Sequence, residues 1–257
     1  MQAGLRWLLW VLLAGLLLQL FFVARIAMML LIDPQSTAFE RSEAWRVATE
    51  KGELRWHQQW VPYAQISGKL KRAVIASEDD GFANHDGVDW DALEKAWQKN
   101  NQAEERAAKA QQQAAQRPAR ANASRPAAVK PVKTPKVVGG STITQQLAKN
   151  LFLSGERTLL RKGQEFVLTL LLEALLDKQR ILEIYLNNVE WGEGIFGAEA
   201  AAQHYFRKSA AQLGSYEAAR LAVMLPRPKY FERLPNSSYV AGRAGVIAHR
   251  LESAELP

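Results

Sequence analysis

The chain has 257 residues, enough for one domain of ordinary size or two small ones with a buried core. Its 33 Lys and Arg exceed its 26 Asp and Glu, for a net charge of +7, but residues 101–136 hold eight basic side chains against only Glu104 and Glu105, so one stretch carries most of the excess. A domain-wide basic face for nucleic acid is thereby excluded, and the absence of cysteine excludes disulfide frameworks, zinc fingers and thiol nucleophiles.

Trp7 to Ala24 contains no charged residue and at helical rise reaches about 27 Å, enough to cross the hydrocarbon layer. Arg25 and a second apolar run, Ile26 to Ile32, follow where a cleaved signal peptide would carry a small-x-small site, so residues 1–33 are expected to be a retained anchor with an interfacial segment. Arg6 supplies a weak positive-inside bias, which places the bulk of the chain outside the cytoplasm. Pro34 stops the first helix, and the polar stretch that follows, with Trp45, Trp56 and Trp60, signals no chemistry. The apolar Leu70 to Ala76 runs into an acidic cluster, and Asp89 to Asn101 reads as helix.

Residues 34–257 are expected to form one domain, interrupted at about 101–137 by a low-complexity insertion of Ala, Gln, Arg, Lys and Pro. From Asn101 to Lys136 the only bulky aliphatics are Val129 and Val132, too few to offset the entropy of ordering. Its first half, to about Gln116, suits transient helix, and its Pro-rich second half does not. Helices are then expected at Ser141 to Leu153, at Thr158 to about Asn187 as one long or two abutting segments, and at Ala198 to Phe206. Two more follow, Ser215 to Leu225 and Tyr239 to Glu252. Phe166 to Leu176 is apolar almost all round and is assigned to the core. No run of alternating strands appears, so the fold class is mainly α.

Three clusters stand out as chemistry. Glu78, Asp79, Asp80 and Asp86 crowd carboxylates around His85, which calls for exposure, a cation or a raised pKa on one of them; a solvated acidic turn is the structural alternative. Gly139 and Gly140 precede Ser141, Thr142 and Thr144 at a helix start, where free N–H groups suit an anion or a simple N-cap; Ser141, Gln145 and Lys149 follow at four-residue spacing as one polar stripe. Arg157, Arg161 and Glu165, again four apart, are either a salt bridge or a catalytic group with electrostatic support, and Lys162 adds positive potential. Gly192 to Gly197 matches G-x-G-x-x-G, but the residues before it read as helix rather than as the strand of a βαβ unit, so dinucleotide binding is set aside.

In this order the strings EDDGFANHDGVD (from Glu78), GGSTITQQLAKNLFL (from Gly139), RKGQE (from Arg161), KQRILEIYLNNVEWG (from Lys178) and GIFGAEAAAQHYF (from Gly194) resemble the family 51 glycosyltransferases, which polymerise lipid II into peptidoglycan strands. The resemblance implies a mainly α, lysozyme-like domain on a single N-terminal transmembrane helix, held at the cytoplasmic (inner) membrane with its cleft on the periplasmic side. It implies inverting transfer from an undecaprenyl-diphosphate-linked donor to the C4 hydroxyl of lipid II, giving uncrosslinked glycan, with no transpeptidase activity, since no Ser-x-x-Lys occurs. Glu78 and Glu165 are its implied catalytic carboxylates. Ser141, Thr142, Gln145, Lys149, Arg157, Arg161 and Asn187 are the implied substrate contacts, and Asp79 is the candidate ligand of a divalent cation, Mg or Mn. The implied partners are lipid II, the growing lipid-linked chain, the membrane and other wall-synthesis or division proteins, with no nucleic acid. A lytic enzyme on the same scaffold would not need the basic stripe, because glycan hydrolysis has no anionic leaving group, and a non-catalytic wall-assembly scaffold would not need both glutamates.

Overall fold

Helix α1 (Gln2–Met28) opens the chain with an apolar run, Ala3–Met28, long enough to cross a membrane at about 39 Å. Its last turns are not free: Phe22, Ile26 and Met29 are buried, Phe22 packs edge-on against Phe152, and the Arg25 guanidinium lies 5.3 Å from the centre of the same ring. The computed structural model of the chain describes residues 2–53, 55–115, 140–153, 155, 156 and 158–257. Two compact units result, Met1–Val88 with Thr142–Pro257 and, separately, Asp89–Ser141.

In the first unit α2 (Ala38–Lys51) starts at a capping box between Thr37 and Glu40 and ends on Gly52 in the left-handed region. Helix α3 (Gly68–Glu78) buries Leu70, Ala73, Val74 and Ile75 and delivers Glu78 at its C-terminus. The second unit is built on α4 (Trp90–Ala115), so the helix expected to end near Asn101 runs on through the first half of the insertion, sustained by its Ala, Gln, Glu and Lys content. The Pro-rich half of the insertion lies outside the described residues.

Helices α5 (Ile143–Phe152), α6 (Leu159–Leu175) and α7 (Lys178–Asn188) return the chain to the first unit, and the stretch from Thr158 to Asn187 is thus two helices, separated where Asp177 caps the second. Helices α8 (Ala198–Phe206), α9 (Ser215–Met224), α10 (Pro228–Glu232) and α11 (Ser238–Arg250) complete the fold, with α9 packed between α3 and α11. The core runs through Leu70, Ile75, Leu147, Leu151, Leu168, Leu172, Tyr185 and Trp191, whose indole N–H donates to the carbonyl of Leu221.

Two expectations need correction. A small sheet is present, with β1 (His57–Gln58) parallel to β3 (Ile195–Phe196) and β2 (Glu190–Gly192) antiparallel to β3. Its two- and three-residue strands are too short to show alternation. The G-x-G-x-x-G glycines sit in the β2–β3 hairpin, where no βαβ unit exists; Gly194 has φ +73°, and a Cβ there would lie 2.1 Å from the carbonyl oxygen of Arg55. Secondly, α6 is not buried all round. Glu165, Leu168, Thr169 and Leu172 face inward, but Phe166, Val167 and Leu170 are about 40% exposed, and Leu159 and Leu160 at its start are almost fully exposed. The α6 amide of Gln164 exchanges two hydrogen bonds, 3.0 and 3.2 Å, with Gln19 of α1, so this apolar face lies beside the membrane-length helix.

Two buried glutamates away from the acidic cluster depart from ordinary acidity. Burial pushes Glu40 up to about 7 despite its bonds to Thr37 and Gln58, and burial together with Glu43 pushes Glu190 to about 7 against the opposing Lys229. A carboxyl whose folded pKa exceeds its unfolded value stabilises the fold fully below about pH 4.5, and that stabilisation, up to about 3 kcal/mol for each, is lost as pH rises through 7. Glu190→Gln keeps the shape and removes the charge, so the drop in melting temperature between pH 5 and pH 8 is expected to shrink in the variant. Equal drops in both proteins would refute the assignment.

Candidate active site

The acidic cluster is held by its own members rather than left to repel. Asp79 is almost fully buried, and its two carboxylate oxygens are both used: Oδ1 lies 2.8 Å from His85 Nε2, and Oδ2 accepts the backbone N–H of Ile143, 2.9 Å away. That N–H belongs to the first residue of α5, so Asp79 neutralises one of the helix's orphan donors and favours the positive end of its dipole. Thr142 Oγ1 donates to the carbonyl of Gly87 at 2.6 Å, tying the far end of the loop to the same helix start. Gly87 has φ +84°, and a Cβ there would meet Thr169 at 2.7 Å, so only glycine lets the loop lie this close to α6. Lys178 closes the arrangement: it donates to the carbonyl of His85 and to Glu173 Oε1, and its ammonium lies 4.6 Å from the centre of the Phe82 ring.

Within this frame Glu78 sits half-buried at the end of α3, where Gln146 Nε2 donates to its Oε2 at 3.0 Å. Burial raises its pKa, Asp79 raises it further, and the Gln146 hydrogen bond and the Lys149 charge act in the opposite direction. Glu165 is the second carboxylate, 4% exposed, with Oε2 accepting from Arg161 Nη1 at 3.0 Å and Oε1 from the Lys162 ammonium. Lys149 couples the two glutamates. Crowding of its ammonium by protein lowers its pKa, Arg161 and Lys162 lower it further, and Glu165 and Glu78 pull it back up. Part of the Lys149 side chain remains open to solvent. Arg161 Nε is buried and, among the described residues, has no hydrogen-bond acceptor.

The sequence-derived contacts divide accordingly. Lys149 and Arg161 lie among the glutamates as expected. Ser141 is exposed immediately ahead of the helix cap, and Arg157 lies outside the described residues. Thr142 and Gln145 form the capping box of α5: Thr142 Oγ1 accepts the N–H of Gln145, and Gln145 Oε1 accepts that of Thr142. The stripe read at 141, 145 and 149 is therefore displaced by one position, and it is Gln146, three residues before Lys149, that shares the inward face. Asn187 is a further correction. It is fully buried, its Oδ1 accepts the N–H of Val61 and its Nδ2 donates to the carbonyls of Val61 and Glu183, so every polar atom of the side chain joins α7 to the neighbouring strand-like segment instead of facing a ligand.

Asp79, the candidate metal ligand, is engaged by the protein itself. Each Asp79 oxygen already has a protein partner, His85 for one and a backbone N–H for the other, and the described residues contain no group of three His, Asp or Glu placed to hold an ion. The residues present do not fit a divalent cation at Asp79.

Gln146 and Tyr185 were the residues overlooked. The Gln146 carbonyl oxygen accepts from the Tyr185 hydroxyl at 3.0 Å, and Tyr185 is 1% exposed. The three-residue spacing of Gln146 and Lys149 was the signal available for the first; nothing local marks the second.

The chain matches a family model described as Transglycosylase over residues 46–118 and 119–252. It is 50% identical over 244 residues to a biosynthetic peptidoglycan transglycosylase of Burkholderia thailandensis, covering 95% of this chain and 84% of that one. A protein of the same description from Burkholderia lata is 48% identical, with 95% and 87% covered, and one from Burkholderia pseudomallei is 50% identical, with 95% and 84% covered. With both glutamates in place among their cations, the chain belongs to the transglycosylase family, and its activity is that of a peptidoglycan glycosyltransferase.

Proposed function

We propose that Glu78 is the general base and that Lys149, Arg161 and Glu165 organise the leaving diphosphate in an inverting transfer from a lipid-linked glycan donor to the C4 hydroxyl of lipid II. As the acceptor oxygen bonds to the donor's anomeric carbon, its proton passes to Glu78, the bond from that carbon to the diphosphate oxygen breaks, and the electron pair leaves with the diphosphate. Glu78 then returns its proton to water. Burial that raises the Glu78 pKa makes its carboxylate a stronger base than an exposed glutamate, which favours proton uptake from the acceptor hydroxyl.

The observation that carries this reading is Arg161 Nε beside Glu165, buried and without an acceptor among the described residues. A donor left without an acceptor in a cation-rich site is explained by an anionic group that arrives with the substrate. Lys149, lowered by crowding and by Arg161 and Lys162, gains from the same anion. Glu165, held by Arg161 and Lys162, keeps these cations from dispersing and need not donate a proton, because diphosphate departs once its charge is met.

Supply of a lipid-linked substrate accords with α1 and with the exposed apolar face of α6 beside it. We place the catalytic unit on the periplasmic side of the inner membrane, with Arg6 on the cytoplasmic side. A reporter enzyme fused after Pro257 and active only in the periplasm tests this; activity from a cytoplasm-only reporter would reverse the orientation.

Incubation of the purified full chain with lipid II is expected to yield long uncrosslinked glycan whose end still carries diphosphate. Release of sugar fragments from preformed strands without polymer growth would overturn the transferase chemistry. Glu78→Gln is expected to lower turnover by at least about 100-fold with lipid II binding retained, and near-normal turnover would remove Glu78 as the base. Arg161→Ala is expected to weaken binding of a diphosphate-containing analogue by about 10-fold or more and Arg161→Lys to recover only part of it; unchanged affinity in Arg161→Ala would remove the anion assignment.

A further inference from the structure

The Glu78 carboxylate is held on one side by an amide whose orientation is fixed from both ends, by Glu78 and by Tyr185. Gln146 could turn its NH2 or its carbonyl toward the carboxylate, and only the first is attractive. Its Oε1 lies 3.0 Å from the Tyr185 hydroxyl, and its Nε2 lies 3.0 Å from Glu78 Oε2. Tyr185 is a central core side chain of α7, 1% exposed, and burial together with the charges of Glu78 and Asp79 pushes its phenol well above its ordinary acidity range. The shift favours the protonated phenol, and its hydroxyl donates to the Gln146 carbonyl. With its carbonyl so engaged, Gln146 presents only N–H to Glu78. Among the described residues nothing bonds to the other carboxylate oxygen, Oε1, which leaves one oxygen tethered and one open.

From this geometry we infer that Tyr185 and Gln146 are positioning residues for the transfer step: the buried phenol fixes the Gln146 amide, the amide fixes the Glu78 carboxylate in a single rotamer, and Oε1 is thereby the oxygen offered to the acceptor hydroxyl. The inference rests on Glu78 being the base. A buried tyrosine needs some partner for its hydroxyl in any protein, but that need would be met by a backbone carbonyl. Here the partner is the side chain that, among the described residues, hydrogen-bonds Glu78, and Glu78 and Tyr185, on α3 and α7, lie 107 residues apart in sequence.

The test uses the full chain in detergent with lipid II. Tyr185→Phe removes one oxygen and retains the ring, so the core packing is kept. It is expected to lower kcat by about 10-fold with KM and the affinity for a diphosphate-containing analogue within about twofold, as for loss of an interaction felt only in the transition state. Gln146→Ala is expected to lower kcat further, and the double variant Gln146→Ala/Tyr185→Phe to be no slower than Gln146→Ala alone, because the phenol acts only through the amide. Rates are normalised to the fraction of protein that binds the analogue, so partial unfolding does not imitate the effect. Full kcat in Tyr185→Phe, or losses that multiply in the double variant, would overturn the relay. So would equal losses in kcat and in analogue affinity, the signature of a merely structural role. Glu78→Gln run alongside separates the two failures: if it is inactive while Tyr185→Phe is unimpaired, the relay is wrong and the base stands, whereas an active Glu78→Gln removes the base itself.

Discussion

The Asp79 carboxylate bridges segments that the chain keeps 64 residues apart, with one oxygen on the ring of His85 and the other on the first N–H of α5. That single side chain closes the acidic loop on itself and docks it on a helix N-terminus, where its charge is most favoured. Glu78 precedes it in the chain and Gln146 follows Ile143 by three positions, so the same bridge sets the distance from Glu78 to the helix that tethers it. Thr142 on Gly87 adds a second tie, and Lys178 on the His85 carbonyl a third. The crowding is eased by giving Asp79 a structural task, Asp80 a surface partner in Arg250 and Glu78 a hydrogen bond from Gln146.

Electrostatically the site is two glutamates in unlike surroundings. Glu165 is covered by Arg161 and Lys162 and remains within reach of their charge, whereas Glu78 has an amide, a distant lysine and a neighbouring negative charge. Environments that differ in this way let two identical side chains take different parts in one reaction. Lys149 senses both carboxylates and links the two electrostatically.

The helices were largely legible in the sequence because their signals are local: Thr142, Thr158, Asp177 and Ser237 cap them, and apolar spacing fills their inner faces. The extent of α6 burial was not legible, since an apolar surface of Phe166, Val167 and Leu170 reads the same whether protein or lipid is to cover it. The small sheet escaped for another reason. Its strands pair residues 57–58 with 195–196, a contact that no window of sequence contains.

Sequence alone determined which residue types are available and roughly where: two glutamates, the cations at 149 and 161, the membrane-length apolar helix and the glycines that permit close approach. Whether a polar side chain faces a ligand or the protein was decided only by tertiary structure. Asn187, Asp79 and Gln145 have the right chemistry for binding, yet their hydrogen bonds are used inside the fold, while Gln146, one position along the same helix, meets Glu78. A shift of one residue turns a helical side chain by about 100°, and a buried polar group takes the nearest partner that satisfies it; neither the partner nor its distance exists until α3, α5 and α7 have packed together.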